Sequence, residues 1–211
     1  VPAEEAADPG PKIIFSQEQQ RAFNGILPLL ESGRAEAALL YGVTGSGKTQ
    51  VYIRLVQETL RMGKSAIVLV PEIVLTPQMM RKFRAYFGSE VAMLHSSLRM
   101  SERYDQWKRI RRGEVRVVLG TRSAIFAPVR NLGLIVLDEE QEGSYQSENP
   151  PRYHTRDVAK FLCARFGATL LLGSATPSVE SFYAAEKGTY HLFTLRQRYN
   201  ARALPRVSVS Y

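Results

Sequence analysis

Residues 42–49, Gly42-Val43-Thr44-Gly45-Ser46-Gly47-Lys48-Thr49, fit the phosphate-binding pattern G-x-x-x-x-G-K-[ST] in full. Glycines at these positions let backbone N–H groups turn inward around a β-phosphate, and a helix starting directly afterwards adds the partial positive charge of its N-terminus. Lys48 is expected to reach the β/γ-phosphates and the Thr49 hydroxyl to ligate Mg²⁺. Further on, the apolar run Leu134-Ile135-Val136-Leu137 ends in Asp138-Glu139-Glu140-Gln141. A carboxylate in that position suits the carboxyl edge of a sheet beside the phosphate loop. Asp138 is expected to hold Mg²⁺, directly or through water, and Glu139 to orient or deprotonate an attacking water. Ser174-Ala175-Thr176 follows a third apolar run, 168–172. Hydroxyls there could bond to Asp138 or Gln141 and link phosphate state to lobe position, although Thr176 before Pro177 also reads as a helix cap. Phosphate cradle, acidic strand end and Ser/Thr switch, in that order, imply the first motor lobe of a nucleic-acid-dependent ATPase.

These residues need a scaffold that brings strand ends together. Near-continuous apolar runs at 37–41, 66–70, 91–94, 115–119, 134–137 and 168–172 alternate with helical patterns. That alternation predicts an α/β fold, a mostly parallel sheet with helices on both faces. Strand order is not readable from it. Tyr52, Leu55, Val56 and Leu60 recur at helical spacing up to Gly63. Thr76-Pro77 reads as an N-cap and first helical residue, followed by the core face Met79, Met80, Phe83, Tyr86 and Phe87 and a stop at Gly88. His154 is expected to begin a helix. Thr176-Pro177 reads as the start of another, running to Lys187-Gly188.

The chain has 211 residues, is 45% hydrophobic and carries a formal charge of +8. One sizeable core is the expectation. Nine Arg/Lys against three Asp/Glu lie in 99–130, and four Arg with no acid in 196–211. This is either a solvated helix face with a disordered tail or a surface for a polyanion. The single cysteine, Cys163, excludes an internal disulfide or a cysteine-rich zinc site and reads as a small buried hydrophobe. No apolar run approaches the ~20 residues of a membrane span, and no signal peptide is visible, so a cytosolic protein without a membrane partner is expected. Residues 1–12 read as a linker.

Thr121, Arg122 and Ser123 follow the 115–119 run, at the strand end where open α/β sheets bind ligands. Their hydroxyls and guanidinium suit phosphate contacts without base reading. Trp107, beside Lys108, Arg109, Arg111 and Arg112, reads as core rather than as a base-stacking platform. Residues 143–153 hold Tyr145, Arg152 and Tyr153 without apolar periodicity. They read either as an ordinary connector or as a loop that reports DNA contact to the acids just before it.

Several stretches carry a resemblance: 69–78 (Leu-Val-Pro-Glu-Ile-Val-Leu-Thr-Pro-Gln), Leu94-His95-Ser96, 120–128, 137–140, 144–146, 152–157 and 173–178. On them the chain resembles a superfamily 2 helicase, most of all the first motor lobe of the bacterial replication-restart helicases, from about residue 15 to the end. The resemblance implies a RecA-like ATP-binding lobe over 13–195, with 196–211 leading towards a second lobe. It implies that Gln19, in Phe15-Ser16-Gln17-Glu18-Gln19, reads the adenine, and that 143–153 couples single-stranded DNA binding to hydrolysis. It further implies 3′–5′ unwinding at abandoned forks in bacteria, ATP and Mg²⁺ as cofactors, and forked and single-stranded DNA, restart and primosome proteins and single-strand-binding protein as partners. Gln141 stands where many members have His, and the loop has two Tyr but no Trp. The family's zinc insertion is not in this sequence. Nor is the second lobe with its arginine finger, so the chain alone is expected to bind nucleotide and hydrolyse it poorly. A lobe of a double-stranded DNA translocase is the alternative. It would share the phosphate loop and acids but not 120–128 and 144–157.

Overall fold

The computed structural model describes residues 11–198. Most of the expected 1–12 linker and of the 196–211 extension lies outside them. Helix α1 (Gln17–Glu31) leads into β1 (Glu36–Gly42), then α2 (Lys48–Arg61), β2 (Ser65–Leu69), α3 (Pro77–Phe87), β3 (Val91–Leu94), α4 (Met100–Arg112) and β4 (Val117–Gly120). The second half runs β5 (Leu132–Asp138), the two-residue strands β6 (Gln146–Ser147) and β7 (Tyr153–His154), α5 (Thr155–Phe166), β8 (Thr169–Ser174), α6 (Val179–Glu186) and β9 (His191–Leu195).

Seven strands form one sheet in the order β3-β4-β2-β5-β8-β1-β9, and every pairing in it is parallel. Parallel strands need crossovers, and crossovers place helices on the faces, so the strands must be apolar on both sides. Along β5, Leu134 and Val136 join the core under α1, α2 and α3, while Ile135 and Leu137 join the core under α4 and α5. A fully buried side chain of this kind stabilises by roughly 1.5–3 kcal/mol relative to exposure. β1, β5 and β8 are neighbours, so all three predicted strand ends emerge side by side.

The helix ends follow local chemistry. Ser16 and Gln19 form a reciprocal capping box at α1. Thr76 caps α3 through Met79 N, with Pro77 in the first turn and Gly88 at the end, as expected. His154 begins α5 as its N-cap, its ring accepting from Arg156 N. Its pKa is lowered, first by burial and then by Arg156.

Two expectations need correction. Thr176-Pro177 does not start a helix: α6 begins at Val179, capped by Ser178, whose hydroxyl accepts from Ser181 N. Trp107 is not core. It is 37% exposed on α4, whose single buried residue is Ile110, and the Arg111 guanidinium lies 5.6 Å from the ring centre. β9 is an edge strand that runs of four apolar residues do not reveal, since only Leu195 in it is buried. Among the described residues no helix is long and apolar enough to cross a membrane.

Candidate nucleotide and nucleic-acid site

The turn between β1 and α2 is held open by glycine geometry. Gly45 and Gly47 have φ of +80° and +83°, values that favour glycine. At Gly47 a Cβ would also lie 2.1 Å from Gln19 Nε2. α2 begins at Lys48 with no side-chain cap, which leaves its first N–H groups for an anion. The Ser46 hydroxyl is buried without a hydrogen-bond partner among the described residues, which fits a cradle completed by a polar ligand.

A recess of about 310 Å³ joins this loop to Lys48, Thr49, Asp138, Glu139 and Lys82. Lys48 Nζ donates to Gly42 O at 2.8 Å and lies 3.8 Å from Glu139 Oε1. Glu139 has φ +48°, a conformation that costs a non-glycine residue on the order of 1–3 kcal/mol. Asp138 is buried at the tip of β5. Burial, the largest influence, raises its pKa from the ordinary 3.8 to about 6; the hydrogen bond from Tyr52 opposes this, Glu139 adds to it and Lys48 opposes it. Among the described residues no cluster of three or more His, Cys, Asp or Glu could hold a metal alone. One carboxylate and one hydroxyl facing a phosphate cradle fit Mg²⁺, which keeps several waters and takes substrate phosphates as ligands.

Lys82, on α3, carried no sequence signal because it belongs to no motif. It is half-buried at the recess, burial lowers its pKa, and it has no hydrogen bond or ion pair among the described residues. Gln19, expected at the adenine, packs against the phosphate loop. It is fully buried; Oε1 accepts from Ser16 N at 2.8 Å, while Nε2 donates to Ser46 O at 3.1 Å and Gly47 O at 3.3 Å. Through these bonds Gln19 fixes the phosphate loop against α1.

The acidic run divides its roles. Gln141 Nε2 donates to Glu139 Oε2 at 3.0 Å, and Ser174 Oγ donates to Gln141 Oε1 at 2.5 Å. Gln141 and Ser174 are therefore joined as expected, but Thr176 enters through its backbone N–H, which donates to Ser174 Oγ, and not through its hydroxyl. Glu140, which extends the run in sequence, turns away from the recess. It accepts from Ser178 N at 2.7 Å, Ser181 Oγ at 2.9 Å, Ser178 Oγ at 3.1 Å and Arg156 Nη1 at 3.2 Å.

Of the expected DNA contacts, Thr121, Arg122 and Ser123 line a second recess of about 380 Å³ with Glu72, Ser96, Arg103 and Ser144. Arg122 also donates to Ser144 O and Gln146 O at 3.1 and 2.8 Å, bracing the loop after the acids. Arg152 is exposed and donates to Glu148 O, and Tyr153 is half-buried edge-on against Phe126. Tyr145 does not belong with them. It is 0% exposed, and its hydroxyl donates to Asp138 O at 2.6 Å, so it anchors the loop to β5 and offers no ring to a base.

A family model described as DEAD/DEAH box helicase matches residues 16–184. The chain is 50% identical over 195 residues to the replication restart protein PriA of Bacillus subtilis (strain 168), covering 92% of this chain and 24% of that protein. It is 45% identical over 202 residues to PriA of Chlamydia pneumoniae, covering 95% of this chain and 27% of that protein. It thus spans about a quarter of the length of these relatives. Among solved structures it resembles RecG bound to a three-way DNA junction, with TM-score 0.65 at 24% identity, over 91% of this chain and 25% of that one. The Pyrococcus furiosus Hef helicase domain gives TM-score 0.56 at 18% identity, over 84% of this chain and 37% of that one. At these identities the two structures speak to the fold alone.

Proposed function

The chain belongs to the DEAD/DEAH box helicase family, and on that premise we propose that it is the ATP-binding motor lobe of a 3′–5′ DNA helicase that restarts stalled replication forks and assembles the primosome. The observation that carries the reading is the convergence of Lys48, Thr49, Asp138 and Glu139 on one recess beside the phosphate loop. ATP binding draws Lys48 from Gly42 O onto the β/γ-phosphates, and Lys82 adds a second cation from α3. Thr49 and Asp138 hold Mg²⁺, which when bound neutralises charge on the transferring phosphate. Glu139, held by its backbone and by Gln141, orients the attacking water. Gln141 and Ser174 carry the state of that site to the end of β8.

Single-stranded DNA follows the recess at Thr121, Arg122 and Ser123, with Arg152 and Tyr153 on the neighbouring loop. The contacts are of the phosphate type and carry no sequence reading. Arg122 then communicates with Asp138 through the loop and Tyr145. Forks, restart and primosome proteins and single-strand-binding protein are the partners that similarity to PriA supports. Without an arginine finger from a second lobe, a contribution of ~10³–10⁵ in rate, the chain alone binds nucleotide and turns it over poorly.

The test is ATP turnover by the full-length protein on forked, single-stranded and blunt duplex DNA, with Glu139→Gln as control. Stimulation by forks and single strands that the variant abolishes supports the proposal. Equal or greater stimulation by blunt duplex replaces it with a double-strand translocase.

A further inference from the structure

Tyr52 lies one helical turn after Lys48 on α2, between Val51 and Ile53, and is 0% exposed. A phenylalanine would fill that core equally well. A buried phenol also needs a hydrogen-bond partner, and here the hydroxyl donates to Asp138 Oδ1 at 2.8 Å, between residues 86 positions apart. The tyrosine thus joins the helix that carries Lys48 and Thr49 to the carboxylate across the recess.

A second position makes room for this bond. β8 reads Thr-Leu-Leu-Leu-Gly-Ser and is buried throughout. Glycine inside such a strand weakens it and often marks a close approach. Gly173 pairs with Asp138 on one side and Leu40 on the other. A Cβ there would lie 1.7 Å from the Tyr52 hydroxyl and 3.2 Å from Asp138 Oδ1. Gly173 has no positive φ to explain it; the space it leaves is the space the hydroxyl occupies.

We propose that Tyr52 is a positioning residue for the metal-binding carboxylate: its hydroxyl occupies Asp138 Oδ1 and fixes the rotation of the group, so that the other oxygen is presented to Mg²⁺. The proposal rests on the nucleotide reading given above and deepens it. An outer partner of this kind orients a ligand without touching the metal, and removing one typically costs about 10–100-fold in metal affinity or activity. The same bond ties α2 to β5, so the hydroxyl and carboxylate ligands sit on elements braced against each other.

The experiment is a fluorescence titration of the chain with a non-hydrolysable fluorescent ATP analogue, first in EDTA and then against MgCl₂, with thermal melting alongside. Tyr52→Phe is expected to bind the analogue in EDTA as the wild type does and to melt within a few degrees of it, while the MgCl₂ midpoint rises about tenfold. Gly173→Ala, which displaces the hydroxyl without removing it, is expected to move the midpoint in the same direction. A Tyr52→Phe midpoint within about twofold of wild type, well below the shift typical of an outer partner, overturns the proposal. So does an equal loss of binding in EDTA and in MgCl₂, because the hydroxyl then supports the whole cradle. A wild-type chain that binds no nucleotide under either condition overturns the nucleotide reading itself, and the wild-type trace alone shows this.

Discussion

Glu139 and Glu140 are adjacent in sequence and have the same side chain, yet replacing them should have opposite consequences. Glu140 is 2% exposed and gathers four donors from α5 and the start of α6. Its ion-pair partner Arg156 has a side chain only 16% exposed, and its Nε is already buried without a partner among the described residues. Glu140→Ala leaves that guanidinium with only the Ser178 and Ser181 hydroxyls, at 3.0 Å each, and no counter-charge. Removing one member of a buried pair costs about 3–5 kcal/mol, mostly the penalty of the charge left behind. For a domain of this size each kcal/mol moves Tm by about 2–4 °C, so the expected fall is roughly 6–20 °C.

Among the described residues the Glu139 side chain has hydrogen-bond or ion-pair partners only in Lys48 and Gln141, and it is 26% exposed. Glu139→Gln should change stability by no more than about 0.5 kcal/mol, as partly exposed substitutions usually do. DNA-stimulated turnover should fall about 10²–10⁴-fold, the contribution of a positioned base. Differential scanning calorimetry and a phosphate-release assay on both variants decide the matter. A Glu140→Ala protein that melts within about 2–3 °C of wild type, the shift of only about one kcal/mol in a domain of this size, would falsify the anchoring role. Wild-type Tm and nucleotide affinity with abolished turnover in Glu140→Gln would move that residue into the chemistry.

Three further outcomes are expected. Asp138 has its pKa raised to about 6 in the folded chain, so folding favours its neutral form. The stability this confers is full below the ordinary value near 3.8 and is lost as pH rises through about 6, a change of about 3 kcal/mol; urea unfolding of wild type should weaken against Asp138→Asn over that window, and parallel curves would refute it. Lys82→Ala should weaken binding of an ATP analogue about tenfold, or about 1.4 kcal/mol, with the loss shrinking at high salt; calorimetric titration at two salt concentrations checks both. Burial pushes the Cys163 thiol up to about 12, so iodoacetamide at neutral pH should leave it unmodified in the native chain and label it in urea, as mass spectrometry would show.

The parts of the molecule legible in sequence are those where one residue type answers one demand. β5 and β8 are buried on both faces and read as near-continuous apolar runs. The phosphate loop reads from its glycines because two of them adopt φ that other residues avoid. α1 has a signal of its own, the Ser16/Gln19 capping box followed by Phe23, Ile26 and Leu30 at helical spacing. That signal was masked because Gln19 also fits a base-reading position. What sequence could not show is which way a side chain turns. Glu140 shares the acidic run but bonds behind the strand, and Tyr145 shares the aromatic loop but is buried beneath it. Glu140's direction depends on α5 and the start of α6, 16 to 41 positions distant, and Tyr145's on Asp138 and Thr155, 7 and 10 positions away.

Asp138 is the point where those directions meet. Its carboxylate is held from the α2 side by Tyr52 and its carbonyl from the loop side by Tyr145, at 2.8 and 2.6 Å. The first bond comes from the helix that starts at the phosphate loop. The second comes from a loop that Arg122 braces beside Thr121 and Ser123. The stretch from the second recess to the first therefore runs through Arg122, the loop backbone, Tyr145 and Asp138, each link a hydrogen bond or a covalent neighbour. Hydrogen bonds weaken steeply with distance and angle, so a small displacement of the loop is felt at the backbone of Asp138 before it reaches the carboxylate. Tyr52 resists that displacement at the carboxylate. Holding the two ends of one residue from different elements lets β5 respond to the loop while the carboxylate keeps its place, an arrangement that a single anchoring contact could not give.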